Sequence, residues 1–500
     1  ITEGGRYTIT DIGLSGDLIV PKDELRALID IEPGASFSRT RVGAAAQALV
    51  DRLGRDGYAF ASVNPVPEVD ESAREVALNF VVDPGERVYV RRINFSGNLK
   101  TQDPVLRREM RQAEGGWFST EDIERSQTRL QRLKYLSGVS IESEPVPGTT
   151  DQVDLEVQVE ERPAGSVTFG VGYGQTEGFL LNAGVTQDNF LGTGNEIGFA
   201  FNNSDADTLY SLSYNNPYYT PDGVSRGFRI NYEETDADEL NTADYLIDRL
   251  DGQLNYGFPF NETDTLRVGI GVEQLDIKTT DDSPPEIIDT LERDGDEYFN
   301  YTLVSSFARD SRNRLIFPSR GSLDRVSAET ALPGSEAEYY KISYRHQSYF
   351  PFTRTLTFSV RGFLGYGDSF SGDDGLPFWE RYFAGGLRSV RGYKTNTLGP
   401  RFSNDEPRGG DLLLIGGTEL ISPIPFLQDS ENFRVSAFFD AGNVFDSSDT
   451  FDAGELRYSV GLSFTWISPL GPLAFSLAQP LNEQEGDETE TFQFSVGVPF

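Results

Sequence analysis

One histidine and no cysteine limit the chemistry open to this 500-residue chain. A hydrolytic triad or an imidazole metal site would have to use His346, within the strand-like stretch Lys341–Tyr349. Without thiols there is no disulfide and no thiolate metal site, a composition compatible with an oxidising envelope. No phosphate loop, nucleophile elbow or metal-ligand spacing is present. No cofactor and no enzymatic step are therefore expected. The residues that stand out are ionic and sit among glycines: Arg381-Tyr382-Phe383-Ala384-Gly385-Gly386, then Val390-Arg391-Gly392-Tyr393, then Asn396-Thr397-Leu398-Gly399-Pro400. A guanidinium presented on such a loop needs a carboxylate partner wherever it leaves bulk water.

The elements around that loop read as strands. Phe492, Phe494, Val496, Val498 and Phe500 alternate with Gln493, Ser495, Gly497 and Pro499. Tyr458–Trp466, Leu473–Leu477, Leu356–Val360 and Tyr210–Tyr214 alternate in the same way. Period two puts the apolar set on one face and the small polar set on the other. The apolar face is rich in aromatic residues and the other face is small rather than charged, which suits lipid outside and a wet lumen inside. His346 is expected on a solvated or lumen-facing position. Aromatic residues gather at short turns, as in Tyr218-Tyr219, Phe258-Pro259-Phe260 and Tyr349-Phe350-Pro351-Phe352, a pattern of an interfacial girdle. About sixteen strands fit between Gly165 and Phe500, with short turns alternating with longer acidic loops such as Thr279–Asp296 and Asp368–Pro407. The fold class expected is a transmembrane antiparallel β-barrel preceded by two α+β domains, with boundaries at 1–84, 85–162 and 163–500. No apolar run reaches the roughly 20 residues of a spanning helix, which does not bear on a barrel.

The N-terminal region repeats at an offset of 81 residues. Phe37-Ser38 matches Phe118-Ser119; Val42 and Leu49 match Ile123 and Leu130; Leu14-Ser15-Gly16-Asp17 matches Phe95-Ser96-Gly97-Asn98. Two β-α-α-β-β units follow, with helices over Ser38–Leu53 and Ser119–Leu133 opened by capping serines. Their sheet edges could accept an extended partner by strand addition. The formal net charge is -36, so nucleic acid is not a partner; the acidity is read as a solubility adaptation to a salty surrounding. The opening Ile1-Thr2-Glu3-Gly4 has no leader pattern, so the chain is expected to be mature and shortened at its N-terminus.

The loop resembles the sixth loop of the BamA family of outer-membrane protein assembly factors, with its VRG(F/Y) motif. Further matches are Val105-Leu106-Arg107-Arg108-Glu109-Met110-Arg111-Gln112, Gly170–Gly174, Gln187–Gly194 and Ser468–Leu473. The repeats then resemble polypeptide-transport-associated (POTRA) domains, the last two of a usual five. The resemblance implies a loop over residues 368–409 folded into the lumen. Val390, Arg391, Gly392 and Tyr393 would lock there, with Arg391 on Glu419 and Asp440. Parity independently turns Asp440 inward, since Val435, Ala437 and Phe439 face lipid. It leaves Glu419 open, because Leu412–Ile415 is apolar on both faces and a bulge at Gly416-Gly417 would reset the register.

The resemblance also implies a weak lateral seam between the first strand, Gly165–Gly174, and the last, Phe492–Phe500. The residues concerned are Gly165, Phe169, Gly170, Gly172 and Gly174 against Phe494, Gly497, Pro499 and Phe500. Glycine weakens strands and proline cannot donate to a ladder, although glycines also serve barrel curvature. The function implied is insertion of β-barrel proteins by templating at that seam, with no nucleotide. The partners implied are unfolded outer-membrane clients, the bilayer and accessory lipoproteins, among them BamD, with Glu109 as a contact. Alternatives are a TamA-like or two-partner secretion translocator of the same superfamily, or a passive pore.

Overall fold

The computed structural model describes residues 6–353, 355–370, 375–424, 432–468 and 471–497. The chain divides into two compact units, residues 1–164 with 188–194, and residues 165–187 with 195–500.

The first unit holds the two repeats. In one, β1 (Thr8–Gly16), α1 (Lys22–Ala27), α2 (Arg39–Arg55), β2 (Ser62–Asp70) and β3 (Glu75–Asp83) follow in order. In the other, the same series is β4 (Tyr89–Ser96), α3 (Asp103–Arg107), α4 (Thr120–Gln131), β5 (Leu136–Pro145) and β6 (Gln152–Glu161). The sheets run β1-β3-β2 and β4-β6-β5, with the first strand parallel to the central one. Ser38 and Ser119 cap α2 and α4 by accepting the N–H groups of Arg41 and Asp122. The 81-residue offset extends to fine detail. Register shifts fall between Ile9 and Asp11 and between Val90 and Arg92, and isolated bridges join Thr8 to Ser36 and Tyr89 to Trp117. Gly16 and Gly97 have φ of 95° and 87°, and a Cβ on either would strike the carbonyl of Val82 or Val159. Each repeat has its own core, around Leu25, Leu49, Leu53 and Phe80 in one and Leu106, Leu130 and Leu155 in the other.

The second unit is a closed barrel of sixteen antiparallel strands. They are β7 (Gly165–Gly174), β8 (Gly178–Phe190), β9 (Asn195–Asn203), β10 (Asp207–Asn216), β11 (Ser225–Asp236), β12 (Tyr245–Pro259), β13 (Asp264–Thr279) and β14 (Glu297–Asp310). The rest are β15 (Gly321–Ala331), β16 (Tyr339–Pro351), β17 (Thr357–Ser369), β18 (Leu412–Ser422), β19 (Phe433–Phe445), β20 (Arg457–Ser468), β21 (Gly471–Pro480) and β22 (Phe492–Val496). Closure joins β22 to β7. The outward parity carries Tyr210, Leu212, Ile270, Ile342, Leu420 and Leu462, all exposed, as a lipid-facing wall requires. Tyr219, Phe260, Phe350 and Phe352 are exposed at the tight turns of one rim. The opposite rim carries the longer connections, including α5 (Pro285–Asp294) inside what the sequence presents as an acidic loop. Pro285 starts that helix, and Ile287 and Leu291 bury one face of it against Tyr245, Leu275 and Phe378.

Candidate functional site

The connection between β17 and β18 runs from Phe370 to Asp411, and its described residues pack against the inner barrel wall. Val390, Tyr393, Ala384 and Leu398 form a small core with Leu413 and Val444. This explains the apolar stretch of β18. Leu413 and Ile415 face inward onto the loop, while Leu412 and Leu414 have the opposite parity. β18 pairs with β17 and β19 without a register shift, so no bulge stands at Gly416-Gly417. Glu419 therefore shares the inward parity of Leu413 and Ile415.

Arg391 lies at the centre of this arrangement. Its Nε and Nη2 donate to the two oxygens of Asp440 at 2.6 and 2.9 Å, and Nη2 pairs with Glu419 Oε1 at 2.7 Å. The Arg391 N–H adds a 3.3 Å bond to Asp440, and the guanidinium lies 3.5 Å from the Phe438 ring centroid. Asp440 is fully buried, which is tolerable because Arg361 Nη2 also donates to it at 2.8 Å. Arg361 in turn donates to the carbonyls of Arg388 and Ser389, tying the loop backbone to β17. Gly392 has φ of 92°, a conformation reserved for glycine, and a Cβ there would meet the Ala478 Cβ at 3.0 Å.

A second anchor, of opposite polarity, was not legible in the sequence. Glu380, buried at the start of the loop, accepts from Arg249 Nη2 on β12 at 2.9 Å and from Lys341 Nζ on β16 at 3.0 Å. Arg249 also pairs with Glu273 on β13 at 3.1 Å, and Asn300 on β14 donates to Glu273. Parity signals that Arg249 and Lys341 point inward, opposite Leu250 and Ile342. It does not say that a loop carboxylate comes to meet them.

At closure the ladder is short among the described residues. Between β22 and β7 the described register pairs are Ser495–Gly174 and Val496–Tyr173, against fifteen between β12 and β13. Among the described residues, Gly165, Phe169 and Gly170 have ladder partners on β8 alone. Gly172 lets the strands approach, since a Cβ there would sit 2.5 Å from the Val496 carbonyl oxygen. Gly497 has φ of 75°, and a Cβ there would sit 2.7 Å from the Val171 carbonyl oxygen of β7. Phe494 stacks on Tyr173 across the seam at 5.9 Å and on Phe475 at 6.4 Å. Pro499 and Phe500 lie outside the described residues. Gln175, just past β7 and absent from the sequence reasoning, spans the gap: its Oε1 accepts from the Phe494 N–H at 2.6 Å and its Nε2 donates to the Phe492 carbonyl at 3.3 Å.

Glu109 and His346 each have partners within the chain. Glu109 is buried, and its carboxylate holds Arg129 Nη2 at 2.8 Å. His346 shares the outward parity of Ile342 and Tyr344, and the register pairs it with Asp324 and Gly362. Asp324 and Ser348 satisfy its ring nitrogens at 2.7 and 2.9 Å. Among the described residues no cluster of His, Asp and Glu is placed to hold a metal ion.

The loop anchored through its VRGY motif inside a sixteen-stranded barrel, in one chain with two tandem repeats, matches known proteins along the whole length. The profile of the Omp85 superfamily domain matches residues 189–500, and that of the surface antigen variable number repeat, or POTRA, matches 7–85 and 88–162. The outer membrane protein assembly factor BamA of Neisseria meningitidis is 34% identical over the full chain, which spans 68% of that relative. That of Nitratidesulfovibrio vulgaris is 28% identical, with 63% of it spanned. The crystal structure of BamA from Haemophilus ducreyi lacking POTRA domains 1-3 superposes with a TM-score of 0.82 at 33% identity, covering 98% of this chain and 99% of that one. The chain belongs to the BamA family. Its barrel resides in the outer membrane with the POTRA repeats in the periplasm, and its work is outer-membrane protein assembly.

Proposed function

We propose that this chain inserts client barrels by strand templating at the β7–β22 seam, with no nucleotide and no enzymatic step. The observation that carries this reading is the exposed outer face of the first half of β7: Val167 and Phe169 are 80% and 72% exposed, and among the described residues its ladder partners lie on β8 alone. An edge strand presents N–H and C=O groups that a second chain can pair with. In hydrocarbon each unsatisfied backbone group costs several kcal/mol, so a client strand that pairs before it meets lipid avoids that penalty. The loop anchors at Arg391 and Glu380 keep the lumen filled while the seam works. The absence of an enzymatic step is supported by the one histidine: Asp324, His346 and Ser348 are bonded in series, but they lie within the β15–β16–β17 ladders, where backbone N–H groups are committed to pairing and leave no oxyanion donors.

The clients are unfolded outer-membrane proteins, and we propose that the second repeat docks accessory lipoproteins of the assembly complex, BamD among them. Glu109 then acts through Arg129, holding it in place, rather than by touching the partner. Reconstituted into liposomes, the chain is expected to speed the folding of an unrelated barrel protein; no acceleration overturns the templating reading. Arg129→Ala is expected to weaken lipoprotein binding as much as Glu109→Ala, and a Glu109→Ala effect with Arg129→Ala silent would assign the contact to Glu109 itself.

A further inference from the structure

The loop and the seam share an unbroken chain of side-chain amides and one carboxylate. Gln493, on β22 and pointing inward, is only 2% exposed. Its Oε1 accepts from the Gly392 N–H at 3.1 Å and its Nε2 donates to the Tyr393 carbonyl at 2.8 Å. A single glutamine thus grips the residues that follow Arg391 as a strand backbone would. The same Nε2 lies 3.3 Å from Glu490 Oε2. The other oxygen of Glu490 accepts from Gln175 Nε2 at 3.0 Å, and Gln175 then holds the backbone of Phe492 and Phe494 across the seam. Backbone bonds reinforce the junction: the Glu490 N–H donates to the Gly392 carbonyl and the Lys394 N–H to that of Glu488, both at 2.8 Å.

The energetics favour transmission along this path. Across the seam the bonds made by Gln175 add to the described register pairs Ser495–Gly174 and Val496–Tyr173, so losing them weakens the closure. Gln493 is buried, and an amide left without partners there is costly, so it stays closed only while Gly392 and Tyr393 remain in place. Gly392 and Tyr393 are in turn fixed by the Arg391 pairs with Asp440 and Glu419. Release of the arginine removes the partners of Gln493, frees Glu490, and withdraws one of the acceptors that orient Gln175.

We propose that Gln493, Glu490 and Gln175 are positioning residues that couple the state of the VRGY loop to the closure of the β7–β22 seam. This inference rests on the seam being the working part of the barrel. The loop is then a sensor of lumen occupancy: a client segment that displaces it loosens the seam beside it, and an empty lumen holds the seam shut.

The test is amide hydrogen exchange of residues 492–496 in the full chain in phospholipid vesicles, read in a double-mutant cycle. Arg391→Ala is expected to speed exchange there by roughly tenfold, the effect of one to two ordinary hydrogen bonds. In a Gln493→Glu background, isosteric but lacking the donors to Tyr393 and Glu490, the further effect of Arg391→Ala is expected to fall below about twofold. Gln175→Glu is expected to speed exchange at 492–496 and, because coupling is reciprocal, to speed it at 388–394 by a smaller factor. Equal effects of Arg391→Ala in both backgrounds, or no effect at the seam from Gln175→Glu, overturn the coupling. Client folding measured on the same samples separates the two readings: seam exchange that responds as stated while client folding does not follow keeps the coupling and removes the templating role.

Discussion

Replacing Asp440 by asparagine probes the loop anchor where its ions are least replaceable. Asp440 is fully buried and receives two guanidiniums and a backbone N–H, whereas Glu419 receives one guanidinium bond and its side chain is 19% exposed. The neutral amide in Asp440→Asn would leave Arg361 with carbonyl partners only and Arg391 with Glu419 as its one remaining carboxylate. Breaking a buried ionic arrangement of this kind costs about 3–5 kcal/mol. Glu419→Gln removes one partly screened charged bond and is expected to cost about 1–2 kcal/mol. The readout is tryptic cleavage after the exposed Arg388, which requires the loop to leave its site. When opening is fast relative to cleavage, the rate follows the open population, at tenfold for each ~1.4 kcal/mol. Cleavage is therefore expected to rise by roughly two to four orders of magnitude in Asp440→Asn and about tenfold in Glu419→Gln. Equal effects of the two, or a change below tenfold in Asp440→Asn, would refute the assignment of Asp440 as the principal anchor.

Two further outcomes follow from other parts of the molecule. Glu380→Gln keeps shape but removes the charge shared by Arg249 and Lys341, so the first half of the loop, 378–386, is expected to exchange its amides at least about tenfold faster while residues 388–394 change little; equal loosening of both halves would make the two anchors one unit. In the second repeat, the Ile93 N–H and then Arg107 hold the Glu114 carboxyl below its usual range, and Arg91 does the same for Asp154. A depressed carboxyl adds stability above its unfolded pKa and loses it as pH falls through the folded one. Exchange in β4 is therefore expected to accelerate below about pH 4, and Glu114→Gln is expected to flatten that acid dependence; an unchanged acid profile in that variant would contradict it.

Much of the barrel could be read from sequence because lipid and lumen impose a strict alternation on each strand. Asp440 followed from the outward parity of Val435, Ala437 and Phe439. The same rule stalled at Leu412–Ile415, since an inward apolar residue there packs on a folded loop that alternation does not register. The repeats were legible down to the helix-capping serines, because an 81-residue offset fixes equivalent positions in two copies. Helix α5 was hidden by its acidic residues, although Ile287 and Leu291 carry its buried stripe. Glu380, Gln175 and Gln493 were not legible for a different reason. Their partners are backbone groups or side chains from distant segments, brought together by the closure of the barrel and by the loop inside it. Glu109 was placed as a contact by motif alone, and only packing against α4 reveals that Arg129 takes its carboxylate.

The central claim is that the β7–β22 seam must open for clients to be assembled. The chain has no native cysteine, so Tyr173→Cys with Val496→Cys, register partners across the seam, gives a single defined disulfide. Folding of an unrelated barrel protein into liposomes by this variant is the measurement. Acceleration is expected under reducing conditions, is lost on oxidation and returns on re-reduction. Acceleration that persists with the seam covalently closed would contradict it.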